Sequence, residues 1–190
     1  MKLCFIDVET TGLNPKKNGI IQIAGIIEVN DIQMMDFNFF VKPFDSDIID
    51  ENSLKINNIN MERIQNFHEP LEVNNKLIHI FSQYIDKYDK TDKFIFVGYN
   101  AEFDFHFLRE WFYKNGNKYF FSWFVGPPLD VMNLVLFDLK DRIYQVENLR
   151  LETITKFYDI KIKESHNAYY DIKATYNLYH IINNKFNISL

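Results

Sequence analysis

The sequence predicts an α/β domain with a mixed central sheet of about five strands flanked by helices. Three observations predict it. Three apolar runs rich in β-branched residues lie close together at residues 3–8, 20–29 and 34–41. Beyond residue 70 the apolar spacing shifts to three and four, and such segments then alternate with further short apolar runs. No internal repeat, low-complexity tract or linker interrupts the 190 residues and 22.8 kDa, which suits one domain spanning 1–190.

The elements follow in order. Residues 3–8 read as a buried strand that stops at Glu9-Thr10-Thr11-Gly12. Asn30-Asp31 sits between the second and third runs, which makes them a hairpin, and Lys42-Pro43 ends the third. Residues 45–69 are polar with islands at Ile48, Leu54 and Ile59, the pattern of loops and short helices. Over residues 71–88, Leu77, Ile78, Phe81, Tyr84, Ile85 and Tyr88 fall on one helical face. A fourth strand is expected at 93–99 and a helix at 101–113 stopped by Gly116. A short strand at 119–125 closes at Gly126-Pro127-Pro128, and Asp130 caps a helix at 131–139. Helical patterns at 147–158 and 167–183 complete the chain.

Composition narrows the function. Hydrophobic residues make up 47% and charged residues 25%, which excludes a disordered chain or a fibre. The formal charge of −5 argues against broad electrostatic wrapping of nucleic acid, but not against a local site charged by metal ions. The single cysteine, Cys4, has no internal disulfide partner and reads as strand packing. No signal pattern and no stretch long enough for a membrane span is visible, so the expectation is a cytoplasmic protein with no membrane partner.

The informative residues are acids in the wrong places. Asp7 and Glu9 close the most apolar strand two residues apart, so both project from one face. Two carboxylates on one face repel unless a proton or a cation offsets the charge, and a divalent ion with oxygen ligands is one solution. Asp104 lies among aromatics one turn into the helix after the fourth strand, and alone it reads as a first-turn acid favoured by the helix dipole. His166 and Asp171 stand five apart near the start of the last helix, and alone they read as a cap and a surface acid.

Together these segments resemble the DEDDh 3′–5′ exonucleases of the DnaQ-like group, within the ribonuclease H-like fold. Phe5-Ile6-Asp7-Val8-Glu9-Thr10-Thr11-Gly12-Leu13 is close to the family's D-x-E-T-T-G-L. Val97-Gly98-Tyr99-Asn100-Ala101-Glu102-Phe103-Asp104 is similar to its H-N-A-x-F-D, and His166-x4-Asp171 matches its H-x4-D. His166, with Asn167 where the DEDDy branch carries Tyr, selects the DEDDh branch. Tyr99 replaces a frequent His, and Asn57 stands where a His-Gly pair is common.

The resemblance implies a metal-dependent 3′–5′ exonuclease that releases nucleoside monophosphates from single-stranded 3′ ends. It implies two divalent cations, Mg²⁺ or Mn²⁺. Asp7, Glu9 and Asp171 would bind the first, Asp7 would bridge to the second beside Asp104, and His166 would be the general base. Thr10, Thr11, Gly12 and Leu13 would floor the terminal nucleotide, with Leu13 as a wedge and Asn100 and Tyr99 as further contacts. DNA is favoured because oligoribonuclease-type members typically carry Met at the Thr11 position, and a DNA polymerase or replication partner is an expectation. The alternatives are an RNA-trimming relative, a non-catalytic adaptor and an endonuclease of the same superfold.

Overall fold

The computed structural model describes residues 1–163 and 167–186. One five-stranded sheet runs β3-β2-β1-β4-β5, from β1 (Lys2–Thr10), β2 (Ile20–Val29), β3 (Ile32–Phe40), β4 (Phe94–Gly98) and β5 (Phe124–Asp130). β1–β2 and β2–β3 pair antiparallel, whereas β1–β4 and β4–β5 pair parallel, so the sheet is mixed as expected. The hairpin turn has both Asn30 (φ 51°) and Asp31 (φ 65°) left-handed, the conformation that matches the strands' twist.

The helices are α1 (Glu51–Ile56), α2 (Met61–Ile64), α3 (Pro70–Ser82), α4 (Ala101–Lys114), α5 (Val131–Leu139), α6 (Leu151–Phe157) and α7 (Ala168–Phe186). Central β1 is covered on both faces, which is why it reads as an unbroken apolar run. Its period-2 alternation splits the core. Cys4, Ile6 and Val8 pack with Leu77 and Phe81 of α3 and Leu108 and Phe112 of α4. Leu3 and Phe5 face α5, α6 and α7, with the Phe5 ring edge-on to Tyr176 and Tyr179. A smaller cluster of Ile21, Leu54, Ile59 and Ile64 holds α1 and α2 to the sheet.

The bounds of α3, β5 and α6 differ from the sequence reading. The α3 helix ends at Ser82 rather than near 88: Ile85 stays buried on a tight turn, while Tyr88 is 84% exposed. The strand expected at 119–125 begins only at Phe124, because residues 120–122 form a 3₁₀ turn that buries Phe120. It then runs through Gly126-Pro127-Pro128, which an edge strand tolerates since proline's missing N–H can face away from the sheet. The helix expected from 147 starts at Leu151, behind an Asn148 side chain that accepts from the Arg150 N–H and the Thr153 hydroxyl.

Gly116 terminates α4 as expected. It takes φ +76°, its N–H bonds the Tyr113 carbonyl, and the Asn117 N–H reaches back to Phe112. Asp130 caps α5 by accepting the Met132 N–H. Among the described residues no helix is long and apolar enough to cross a membrane.

Candidate active site

The alternation that sends Leu3 and Phe5 toward α7 also sends Asp7 and Glu9 there. At that end of the strand, α7 supplies Asp171 from its first turn. One carboxylate oxygen each from Asp7, Glu9 and Asp171 lie within 4.8 Å of one another, close enough to hold one cation. Two distant stretches of chain therefore meet as the sequence reading required.

Asp104 approaches from the other side of the sheet. β4 stops at Gly98, and the Val8 N–H, instead of bonding a longer β4, is accepted by Asp104 Oδ1 at 2.9 Å. Gly98 makes room for this turn, since a Cβ there would lie 3.2 Å from both the Ile6 carbonyl and Ala101 Cβ. Asn100 enters α4 left-handed at φ 58°, its N–H held by the Asp130 carboxylate that also caps α5. A single acid thus pins the loops after β4 and β5.

The electrostatics record the crowding. Burial, then the charges of Asp104, Glu9 and Asp171, push the Asp7 carboxyl well above its ordinary range. Burial, then Asp171 and Asp104, raise Glu9 to about 8. Asp104 also rises to about 8, because its burial outweighs the Val8 hydrogen bond that favours the anion. Each of the three carboxyls favours a proton in the absence of a cation, which is the physical signature of a site built for positive charge.

The loop after β1 is held from within. Thr11 is fully buried: its hydroxyl donates to the Ile48 carbonyl and accepts from the Gly19 N–H. The Thr10 hydroxyl donates to the Gly12 carbonyl, and a Cβ on Gly12 would strike the Asn18 amide at 2.4 Å. Asn57, one of the two departures from the family pattern, donates its amide to the Thr10 carbonyl at 3.0 Å. These side chains shape the loop, so its offer to a ligand is backbone and Leu13, which is 82% exposed. His166 lies outside the described residues.

A cleft of about 770 Å³ opens beside the acids, lined by Asp7, Asp171, Tyr99 and Asn100 together with Leu149 and Arg150. The Tyr99 hydroxyl donates to the Leu149 carbonyl at 2.6 Å, which presents the half-buried ring to the cleft. Arg150 was not singled out from sequence. It occupies the N-cap of α6, where a helix dipole disfavours a cation, and that misplacement is the signal that a helix assumed to begin at 147 conceals. His106, two residues from Asp104 in the chain, pairs instead with Glu102 at 3.0 Å on the surface.

A family model described as an exonuclease, RNase_T, matches residues 4–179. The chain belongs to this DnaQ-like 3′–5′ exonuclease family. It is 29% identical over 174 residues to a PolC-type DNA polymerase III of Halalkalibacterium halodurans, covering 90% of this chain and 11% of the polymerase. The corresponding protein of Thermotoga petrophila is 30% identical over 145 residues, 76% of this chain and 9% of that one. The chain thus spans about one tenth of the length of these relatives.

In fold the chain is similar to E. coli exonuclease I. The complex with a dT13 oligonucleotide superposes with TM-score 0.78 at 21% identity over 96% of this chain and 41% of that one. The zinc-bound form in complex with single-stranded DNA gives TM-score 0.81 at 20% identity, over 98% and 41%. These likenesses show that the chain has the ribonuclease H-like fold.

Proposed function

We propose that this chain is one metal-dependent exonuclease domain that removes nucleotides from the 3′ ends of single strands, with DNA the favoured substrate. The observation that carries the reading is the convergence of Asp7, Glu9 and Asp171 within 4.8 Å, with Asp104 bonded to the intervening Val8. The donor set is all carboxylate oxygen, which suits Mg²⁺ or Mn²⁺. Carboxyls driven toward protonation by burial and mutual repulsion fit the group that would relieve them.

Asp7, Glu9 and Asp171 would hold one cation, and Asp7 with Asp104 the second. Cations bound there supply positive charge where charge builds on the attacking and leaving oxygens of an in-line displacement. Arg150 meets the strand's phosphate across the cleft. The backbone of Thr10 holds the terminal sugar while Leu13 and Tyr99 pack against bases. His166, by the family resemblance, takes the proton of the attacking water at a ring nitrogen.

The polymerase relatives support DNA as substrate and a replication polymerase as partner, because in them the matching stretch is part of a polymerase chain. The test uses 5′-labelled DNA and RNA oligonucleotides with free or blocked 3′ ends, in Mg²⁺, Mn²⁺ or EDTA. Stepwise shortening from free DNA 3′ ends, abolished by EDTA, is expected. Internal fragments, cutting that ignores the block, or activity in EDTA overturns the proposal, and faster loss of RNA overturns the DNA preference.

A further inference from the structure

A second cleft, of about 490 Å³, lies between the loop that follows β1 and the carboxyl half of α4. Three cations converge on it from separate segments: Lys16 from the loop, Arg109 from α4 and Lys118 from the turn beyond. All three are exposed, and none of them is within ion-pair distance of a carboxylate among the described residues, unlike Lys114 on the same helix as Arg109, which is tied to Asp47. Glu110 is the one carboxylate on the lining, so the cleft is locally positive in a chain of net charge −5. Between the cations stand the exposed rings of Tyr113 (59%) and Phe121 (49%).

The cleft is built rather than incidental. Lys114 ties α4 to the loop, donating to the Asn18 carbonyl at 3.1 Å and to the buried Asp47 carboxylate at 2.5 Å. The Asn18 side chain accepts the Asn14 N–H and so closes the loop on itself, and Gly116 ends α4 where Lys118 must turn back. The same loop carries exposed Leu13, three residues before Lys16. Asp7 on β1 lines the acid cleft, and Lys16, nine residues further along the chain, lines this one.

Resting on the exonuclease reading, we propose that this cleft holds the single strand upstream of its terminal nucleotide. Lys16, Arg109 and Lys118 would take backbone phosphates, and Tyr113 and Phe121 would stack on bases. Free cations interleaved with exposed aromatic faces form the pattern that binds single strands without sequence preference. An acidic protein segment would use the charges and leave the rings idle. The role is in holding long substrates, since no carboxylate of the acid site lines this cleft.

The test separates strand binding from chemistry. Binding of fluorescein-labelled dT20 is measured by anisotropy in EDTA, and chemistry by release of p-nitrophenol from thymidine 5′-(p-nitrophenyl phosphate) in Mn²⁺. The variant Lys16→Ala/Arg109→Ala/Lys118→Ala should lose about tenfold or more in dT20 affinity, and the slope of log affinity against log salt should fall by about 2. Its p-nitrophenol release should equal that of the wild type. Tyr113→Ala/Phe121→Ala should weaken dT20 binding with the salt slope unchanged. A control lacking Lys87, Lys90 and Lys161, none of which lines the cleft, should bind as the wild type does.

Equal dT20 affinity and slope for the triple variant, or equal loss in the control, overturns the proposal. So does displacement of dT20 from the cleft variant and the wild type alike by poly-glutamate, which would mark the surface as a general acidic-polymer site elsewhere. Absence of p-nitrophenol release from the wild type itself would instead overturn the exonuclease reading.

Discussion

Replacing Glu9 by Gln should make the metal-free protein more stable at neutral pH while removing its activity. Glu9 titrates at about 8 in the fold, against an ordinary value of 4.5. A raised carboxyl binds its proton more tightly folded than unfolded. Its stabilising contribution is therefore complete below pH 4.5, is lost as pH rises from about 4.5 to 8, and is constant above. At pH 7 keeping the proton against the unfolded tendency to ionise costs about 3 kcal/mol. Gln has no proton to lose and little change in volume, and it also removes one of the charges that raise Asp7. In a domain this size 1 kcal/mol moves the midpoint by about 2–4 °C. The Glu9→Gln protein in EDTA should thus melt about 5 °C or more above the wild type at pH 8, with the gap closing near pH 4.5. Mg²⁺ should raise the wild-type midpoint and leave that of the variant nearly unmoved. Differential scanning fluorimetry across pH 4.5–8.5 measures both. A variant no more stable than the wild type at pH 8, or a gap that does not grow with pH, refutes the reasoning.

Asp104→Asn keeps an acceptor for the Val8 N–H and should fold normally with activity lost, whereas Asp104→Ala leaves that buried N–H unpaired and should cost about 1–3 kcal/mol in urea unfolding. Arg150→Ala should raise KM for oligonucleotides and lower the salt slope of binding by about 1, with release of p-nitrophenol from the mononucleotide ester less affected. Gly116→Ala forces φ +76° on a residue with a Cβ and should lower stability by about 1 kcal/mol without touching activity, read from parallel melting and nuclease assays.

The legible parts of the fold were those where burial and period agree. β1 and β2 are buried along nearly their whole length, and their apolar runs carry no competing signal. The errors arose where tertiary packing overrode a local rule. β5 contains a Gly-Pro-Pro that reads as a stop, and it survives because the strand lies at the sheet edge. Phe120 looked like part of a strand because an aromatic run has no period of its own, yet it is the plug of a 3₁₀ turn packed on Phe105, Phe112 and Phe124. Ile85 continued the period of α3 one turn past its end because the chain stays buried after it ceases to be helical.

Asp7 and Glu9 were legible for a different reason, namely that they break the pattern, whereas Asp104 and Asp171 stood out only through the family motifs. A carboxylate at the buried end of a strand has an energetic cost, which marks Asp7 and Glu9 as residues to explain, although the pair alone also reads as a solvated strand end. Arg150 breaks a rule too, but one that depends on knowing where α6 begins, and Asn148 sets that start through side-chain bonds that no period predicts. The Thr11 and Gly12 contacts illustrate the reverse. They match the family motif letter for letter, yet their side chains are spent on Ile48, Gly19 and Asn18.

That division explains how the site stays assembled against its own repulsion. The atoms that crowd together belong to three elements whose positions are set elsewhere: β1 by its ladders with β2 and β4, α7 by Phe5 against Tyr176 and Tyr179, and α4 by its apolar face. None of these contacts involves a carboxylate. The core can therefore impose a geometry that the acids themselves oppose. Asp104 adds a polar link from the site itself, because its bond to the Val8 N–H ties α4 to the residue between Asp7 and Glu9 and so sets its position against both of them.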